Sequence, residues 1–398
     1  MNHNSRLAAR PSFDERDLTG VLAEIASVLR SGRLILGEHT AALEEEFARA
    51  VGAKHAIAVS SCSAALEIAL RAVGARGREV IVPTNTFTAT ATAAIRAAAG
   101  DPVLAPAGPR SAALSPQAGG RVTFSECDEH GNFSVVDALT RLSADTAAIV
   151  AVHVAGFIPH DFDLLIVECN RRGIALIEDC AHAHGATLGS RVAGSLGDVG
   201  CFSFYPTKIL TCGVGGMVTT NRDDVARLAR SLRHHGQGAS LEELVAVGSD
   251  YLMDEVRAVL CRAQLRRLPK IIAHRRKVAA AYQEALDLTS AKPKWATPPA
   301  VAPGTGAVYY KYPVQLAEGL DAAAVRQRMA DRGIAVGGLY WPPVHQMPLF
   351  APLGVKMPRS EAVLRRRLCL PMHGQVDPAD CREIVETLME CIGTRETT

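Results

Sequence analysis

The sequence predicts an α/β fold, with a mostly parallel sheet flanked by helices and a smaller C-terminal α+β domain. Short, continuously apolar runs alternate with stretches of helical periodicity through the N-terminal half. Such runs lack polar alternation, which marks strands buried on both faces by covering helices. At 398 residues the chain also exceeds the size at which a single core keeps growing, so two bodies are expected.

The elements follow in order. Leu22, Ile25, Ala26 and Leu29 share one face of a first helix, which Gly32 stops. A second helix covers Thr40–Ala50, ahead of Gly52. Strands are expected at Ala56–Ser60, Glu79–Pro83, Ala147–Val154, Ile174–Ile177, Gly200–Phe204 and Met217–Thr220. Helices fall at Ala64–Val73, Ala89–Ala99 and Leu164–Arg172. Residues Leu104–Arg121, rich in Ala, Pro, Gly and Ser, read as a surface loop, long against the usual ~4–6 residues. After Gly248 the pattern changes. A long helical stretch, Met253–Leu288, is expected to be interrupted at Pro269. Tyr309–Leu316 and Ile334–Tyr340 read as strands, Ala322–Arg332 as a helix, and Asp377-Pro378 as an N-cap with proline at the first helical position. The expected division is 1–246 and 247–398.

Composition narrows the function. Apolar residues make up 48% and charged residues 21%, as in ordinary globular enzymes. The net charge is +2 and no Lys/Arg block stands out, so neither a nucleic-acid nor a membrane surface is expected. No charge-free apolar stretch could span a bilayer, and Met1–Asp17 lacks a signal core. The 10 cysteines include no Cys-x-x-Cys pair, which suits a reducing cytoplasm.

Chemistry concentrates at a few strand ends, where ligands of such sheets bind. Ser60-Ser61-Cys62-Ser63 joins a strand to a helix; its small polar residues serve either a phosphate or ordinary N-capping. Asp179 ends the apolar run Ile174–Glu178, where a carboxylate can hold a pyridine nitrogen protonated or simply cap and pair. His182 and His184 follow, but no third ligand at sensible spacing supports a metal site. Lys208 sits in Ser203-Phe204-Tyr205-Pro206-Thr207-Lys208, ahead of Gly213-Val214-Gly215-Gly216, where the backbone can turn closely. A lysine beside a ring-binding carboxylate can form a Schiff base with pyridoxal phosphate.

These segments together resemble the DegT/DnrJ/EryC1/StrS aminotransferases, a branch of the fold-type I pyridoxal-phosphate enzymes. The matching stretches are SSCSAAL, VIVPTNTFTATATAA, IEDCAHAHGA, GDVGCFSFYPTKIL, GVGGMVTTN, GSDYLMDE and YWPPVHQMPLF. The resemblance implies that residues 1–246 bind the cofactor. Lys208 would form the Schiff base and shuttle the proton, Asp179 would pair with the pyridine nitrogen, and His182 would sit near the phenolic oxygen. Phe87 would stack on the ring, while Ser61, Cys62, Ser63 and Ser203 would hold the phosphate. It also implies a homodimer with shared active sites, in which Asp250 meets the neighbouring subunit's cofactor. The reaction so implied moves nitrogen from glutamate or glutamine to a keto-sugar, often nucleotide-linked, in amino-sugar or antibiotic biosynthesis. This chain departs from the family in Cys62-Ser63 for Gly-Thr, in Asp250 and Leu252 for Asn and Arg, and in the stretch Leu104–Arg121. A cyclitol or other small ketone is the alternative acceptor, and elimination, decarboxylation or cyclisation the alternative reaction.

Overall fold

The computed structural model describes residues 6–11, 13–99, 119–240, 242–289 and 295–393. Its helices are α1 (Glu15–Ser31), α2 (Glu38–Val51), α3 (Cys62–Ala72), α4 (Thr88–Ala99), α5 (Val135–Thr140), α6 (Phe162–Arg172), α7 (Asp223–Arg233), α8 (Glu255–Thr289), α9 (Ala322–Asp331), α10 (Pro358–Arg365) and α11 (Cys381–Gly393). The central sheet is formed by β1 (His55–Val59), β2 (Glu79–Pro83), β3 (Arg121–Ser125), β4 (Thr146–Val152), β5 (Ala175–Asp179), β8 (Val199–Ser203) and β9 (Gly216–Thr220). Between β5 and β8 lies the hairpin β6 (Thr187–Leu188) and β7 (Arg191–Val192). The C-terminal part adds β10 (Ala296–Thr297), β11 (Thr305–Gly306), β12 (Tyr312–Leu316) and β13 (Arg367–Leu370).

The seven-stranded sheet runs β1-β9-β8-β5-β4-β2-β3. Only β9 opposes the others, pairing antiparallel with both β1 and β8. Every residue of β2, β4, β5, β8 and β9 is buried, so the apolar runs read in the sequence are strands covered on both faces. On one face α2 brings Phe47 edge-on to Phe202 and Phe204, with centroids 4.9 and 5.6 Å away. Such aromatic pairs contribute ~0.5–1.5 kcal/mol each beyond burial, and here they brace the strand that leads to Lys208.

The C-terminal sheet β10-β12-β13 has its own core, in which Tyr282, Tyr312, Val314, Leu368 and Leu388 are buried. Helix α8 serves both bodies. Ala258, Cys261 and Leu265 join the main core, and Val278, Tyr282 and Leu286 join the smaller one.

Four local expectations are corrected. Helix α8 runs unbroken through Pro269. Pro269 is exposed, and packing at both ends of the helix outweighs the ~3 kcal/mol penalty of an interior proline. The strand expected from Tyr309 begins only at Tyr312, because Tyr309 takes a left-handed φ of 51° and turns the chain inward. Ile334–Tyr340 forms no strand: Gly337 alone bridges to Cys369, and Tyr340 has φ 60°. Helix α1 does end at Gly32, but its buried residues are Val21 and Val28, packed with Val259 and Ala263 of α8. Leu22 and Leu29 are 62% and 61% exposed. Of the stretch 104–121, residues 104–118 lie outside the described residues, and Arg121 already belongs to β3.

Candidate active site

The C-terminal ends of β1, β5 and β8, with the start of α3, open on one cavity of ≈ 510 Å³. Ser61, Cys62, Ser63, Phe87, Asp179, His182, Ser203 and Lys208 all line it. Asp250 does not; it is exposed, bridges to His234, and accepts the Leu252 N–H at 3.3 Å.

The carboxylate comes first. Asp179 ends β5 and is only 5% exposed. Thr90 donates its hydroxyl to Oδ2 at 2.8 Å, and the Ala181 N–H donates to Oδ1 at 3.1 Å. Burial pushes this carboxyl up, while those two donors and the Lys208 ammonium act against the shift. Glu178, one residue earlier, points to the opposite face of the strand. There it is held by His153 (2.8 Å) and the N–H groups of Gly194, Leu196 and Gly197. Among the described residues His153, Glu178 and Cys180 are the one group that could gather around a metal ion, and the Glu178 oxygens are already occupied.

Lys208 follows β8 through a turn closed by its own N–H donating to the Tyr205 carbonyl (2.9 Å). Its Nζ lies 4.9 Å from the centre of the Tyr310 ring. Burial draws its pKa down, with Asp179 opposing. Behind it the glycine run has a specific task. A Cβ on Gly216 would meet the Ser61 carbonyl carbon at 2.4 Å, so only glycine lets β9 press against the loop that starts α3.

That loop has the makeup of an anion site. Ser61 caps α3, its Oγ accepting the Ala64 N–H at 3.2 Å. Ser61, Ser63 and Ser203 line the cavity, and a helix start offers free N–H groups to an anion. Burial raises the Cys62 thiol well above its usual range, so it stands there as a neutral group.

His182 is 5% exposed and stacked on Tyr310, with ring centres 4.1 Å apart. Because the Ala155 N–H donates to Nδ1 (3.2 Å), the neutral ring carries its proton on Nε2, which faces the Tyr340 hydroxyl at 3.3 Å. Burial, Lys208 and Lys311 together hold the ring well below the usual histidine range. His184 lies behind, between Phe202 and Phe204, and belongs to the core. Phe87, 63% exposed, stands at the mouth.

Sequence reasoning missed Thr90, Tyr310, Lys311 and Tyr340. Thr90 and Tyr340 lie inside stretches that carry the resemblance; Tyr310 and Lys311 were absorbed into an expected strand.

A planar heterocycle with a basic nitrogen, an aldehyde and a phosphate meets complementary groups here. They are a buried carboxylate, an amine of lowered pKa, and a capped helix start, all on one cavity.

Several known proteins of similar sequence are named as enzymes of amino-sugar synthesis. The chain is 34% identical to a dTDP-3-amino-3,4,6-trideoxy-alpha-D-glucose transaminase of Micromonospora megalomicea subsp. nigra, over 95% of this chain and 96% of that one. It is 33% identical to GDP-perosamine synthase of Caulobacter vibrioides, over 96% of each. The crystal structure of S. venezuelae DesV with a ketimine intermediate superposes with a TM-score of 0.84 at 29% identity, covering 98% of this chain and 100% of that one. Residues 19–389 match one family description. The chain belongs to the DegT/DnrJ/EryC1/StrS aminotransferase family.

Proposed function

We propose that this aminotransferase uses pyridoxal phosphate to carry an amino group from glutamate or glutamine to a ketone on a nucleotide-linked sugar. Aminotransferases of this family are pyridoxal-phosphate enzymes. The observation that carries the cofactor assignment is the convergence of Lys208, Asp179 and the Ser61–Ser63 cradle on one cavity. The acceptor class is supported by relatives named for dTDP-, UDP- and GDP-linked or derived sugars. No feature of the cavity favours a cyclitol acceptor or an elimination.

When bound, the cofactor supplies an aldehyde that captures amines and a ring that accepts electrons from the carbon being deprotonated. Asp179 would keep the ring nitrogen protonated, and the Lys208 amine would hold the cofactor and move the proton at the reacting carbon. Burial lowers the pKa of that amine, which favours its basic form. Neutral His182, clamped by Ala155 and Tyr310, would meet the phenolic oxygen. Phe87 would cover the ring from the mouth. Ser61, Cys62, Ser63 and Ser203 would hold the phosphate.

The working unit in this reading is a homodimer, with Asp250 reaching the neighbouring subunit's cofactor. Exposed Leu22, Leu29, Leu34 and Ile35 support an apolar contact between copies. Ten free, buried cysteines suit a reducing cytoplasm, and no described helix is long and apolar enough to cross a membrane.

The test is spectral. Glutamate or glutamine should bleach the absorbance of the protein loaded with pyridoxal phosphate, and a nucleotide-linked keto-sugar should restore it. Lys208→Ala should leave no pyridoxyl group fixed to the protein by borohydride. Covalent fixation in that variant would mean a different lysine does the chemistry.

A further inference from the structure

Two lysines and one carboxylate line the described cavity: Lys208, Lys311 and Asp179. Lys208 is accounted for by the chemistry. Lys311 is not. Its Nζ lies 5.3 Å from the centre of the same Tyr310 ring that Lys208 approaches. Its backbone is fixed, the N–H donating to the Ala155 carbonyl at 3.3 Å. The ammonium donates to one carbonyl, that of Ala8, at 3.4 Å. Among the described residues no carboxylate lies within ion-pair distance of it.

An ammonium has three hydrogens to place, and the side chain is half-buried. Withdrawing such a charge from water without a counter-charge is unfavourable, so the arrangement calls for an anion from outside the chain. The Ser61–Ser63 cradle already answers a phosphate. Lys311 stands instead beside Tyr310, next to His182. An amino-acid donor presents a carboxylate on the carbon that carries its amine. When that amine is aimed at the reaction centre beside Lys208, the carboxylate needs a cation a few ångströms away.

We propose that Lys311 binds the α-carboxylate of the amino donor and determines donor recognition separately from acceptor recognition. This rests on the aminotransferase reading of the same cavity. Lys311 takes no part in proton transfer; it is a specificity residue.

The test compares the full chain loaded with pyridoxal phosphate with its Lys311→Ala, Lys311→Gln and Lys311→Arg variants. Half-saturation for glutamate, read from the cofactor absorbance, should rise about 10- to 100-fold in the first two, as for loss of one charged hydrogen bond. Lys311→Arg should keep most of the affinity. Half-saturation for the keto-sugar should not move. Calorimetric binding of glutarate, an unreactive dicarboxylate, should weaken by a similar factor. Unchanged glutamate and glutarate affinity in Lys311→Ala would overturn the proposal. So would a loss confined to the keto-sugar, which would assign Lys311 to an acceptor phosphate. If no amino acid alters the wild-type spectrum, the aminotransferase reading fails, while glutarate calorimetry still decides Lys311.

Discussion

Replacing Asp179 by Asn should separate folding from function. Thr90 donates to Oδ2, while Oδ1 accepts the Ala181 N–H and the Cys62 thiol, the latter at 4.0 Å. Asn keeps an oxygen for the Ala181 N–H. Its amide nitrogen then faces the Thr90 hydroxyl, which can accept and turn its own hydrogen to Thr86 Oγ1, 2.7 Å away. The network therefore survives with one rearranged hydrogen bond, worth ~1 kcal/mol or less. A buried negative charge is also removed, which offsets part of that cost. The thermal midpoint should move by only a few degrees. The catalytic loss is of a different order, because an amide cannot keep a pyridine nitrogen protonated. Activity should fall ~10²- to 10⁴-fold, the range for losing a positioned acid–base group. The assay pairs turnover of amino transfer with a thermal melt and the bound-cofactor content of the same sample. A loaded, folded variant within about fivefold of wild-type turnover would refute the role given to Asp179.

Two further outcomes follow from the same geometry. His184 is buried with its pKa drawn down to about 3 from 6.5, so the native ring stays neutral where the unfolded one takes a proton. The unfolded state then binds more protons, and stability falls as pH drops from 6.5 toward 3, by up to ~1.4 kcal/mol per pH unit from this group. Urea melts between pH 6.5 and 5 should show His184→Gln losing on the order of 1–2 kcal/mol less stability than wild type, with the His182 contribution common to both; equal slopes would refute it. Leu29→Asp should dissociate the proposed homodimer. Burying a leucine is worth ~1.5–3 kcal/mol and counts twice across a two-fold, so the dimer Kd should rise by on the order of 10²-fold. Sedimentation showing an unaltered dimer would place the interface elsewhere.

Much of the fold and of the site is legible in the amino-acid sequence, and for local reasons. The apolar runs that became β2, β4, β5, β8 and β9 needed only the absence of alternation to mark them as buried on both faces. Asp179 ends such a run and Lys208 closely follows another, so the strand-end rule pointed to the cavity that both line. What failed involved partners distant in sequence. Pro269 reads as a break because its cost is local, while the compensating packing of α8 comes from both cores. Leu22 and Leu29 read as an inward face because periodicity reports an apolar stripe without saying what covers it.

By itself the sequence determined most of the buried strands of the sheet and several covering helices, and it singled out Lys208, Asp179 and the serine-rich helix start. Each is written in neighbouring residues; β3, α5, α7 and the spatial order of the strands were not read from the sequence. Only the tertiary structure decided that Tyr309 would turn the chain out of its strand, bringing Tyr310 against His182 and Lys311 onto the cavity wall. Those residues come from a segment more than a hundred positions from the sheet's active end. Nothing in their local pattern encodes the meeting, because it is fixed by where the C-terminal sheet docks.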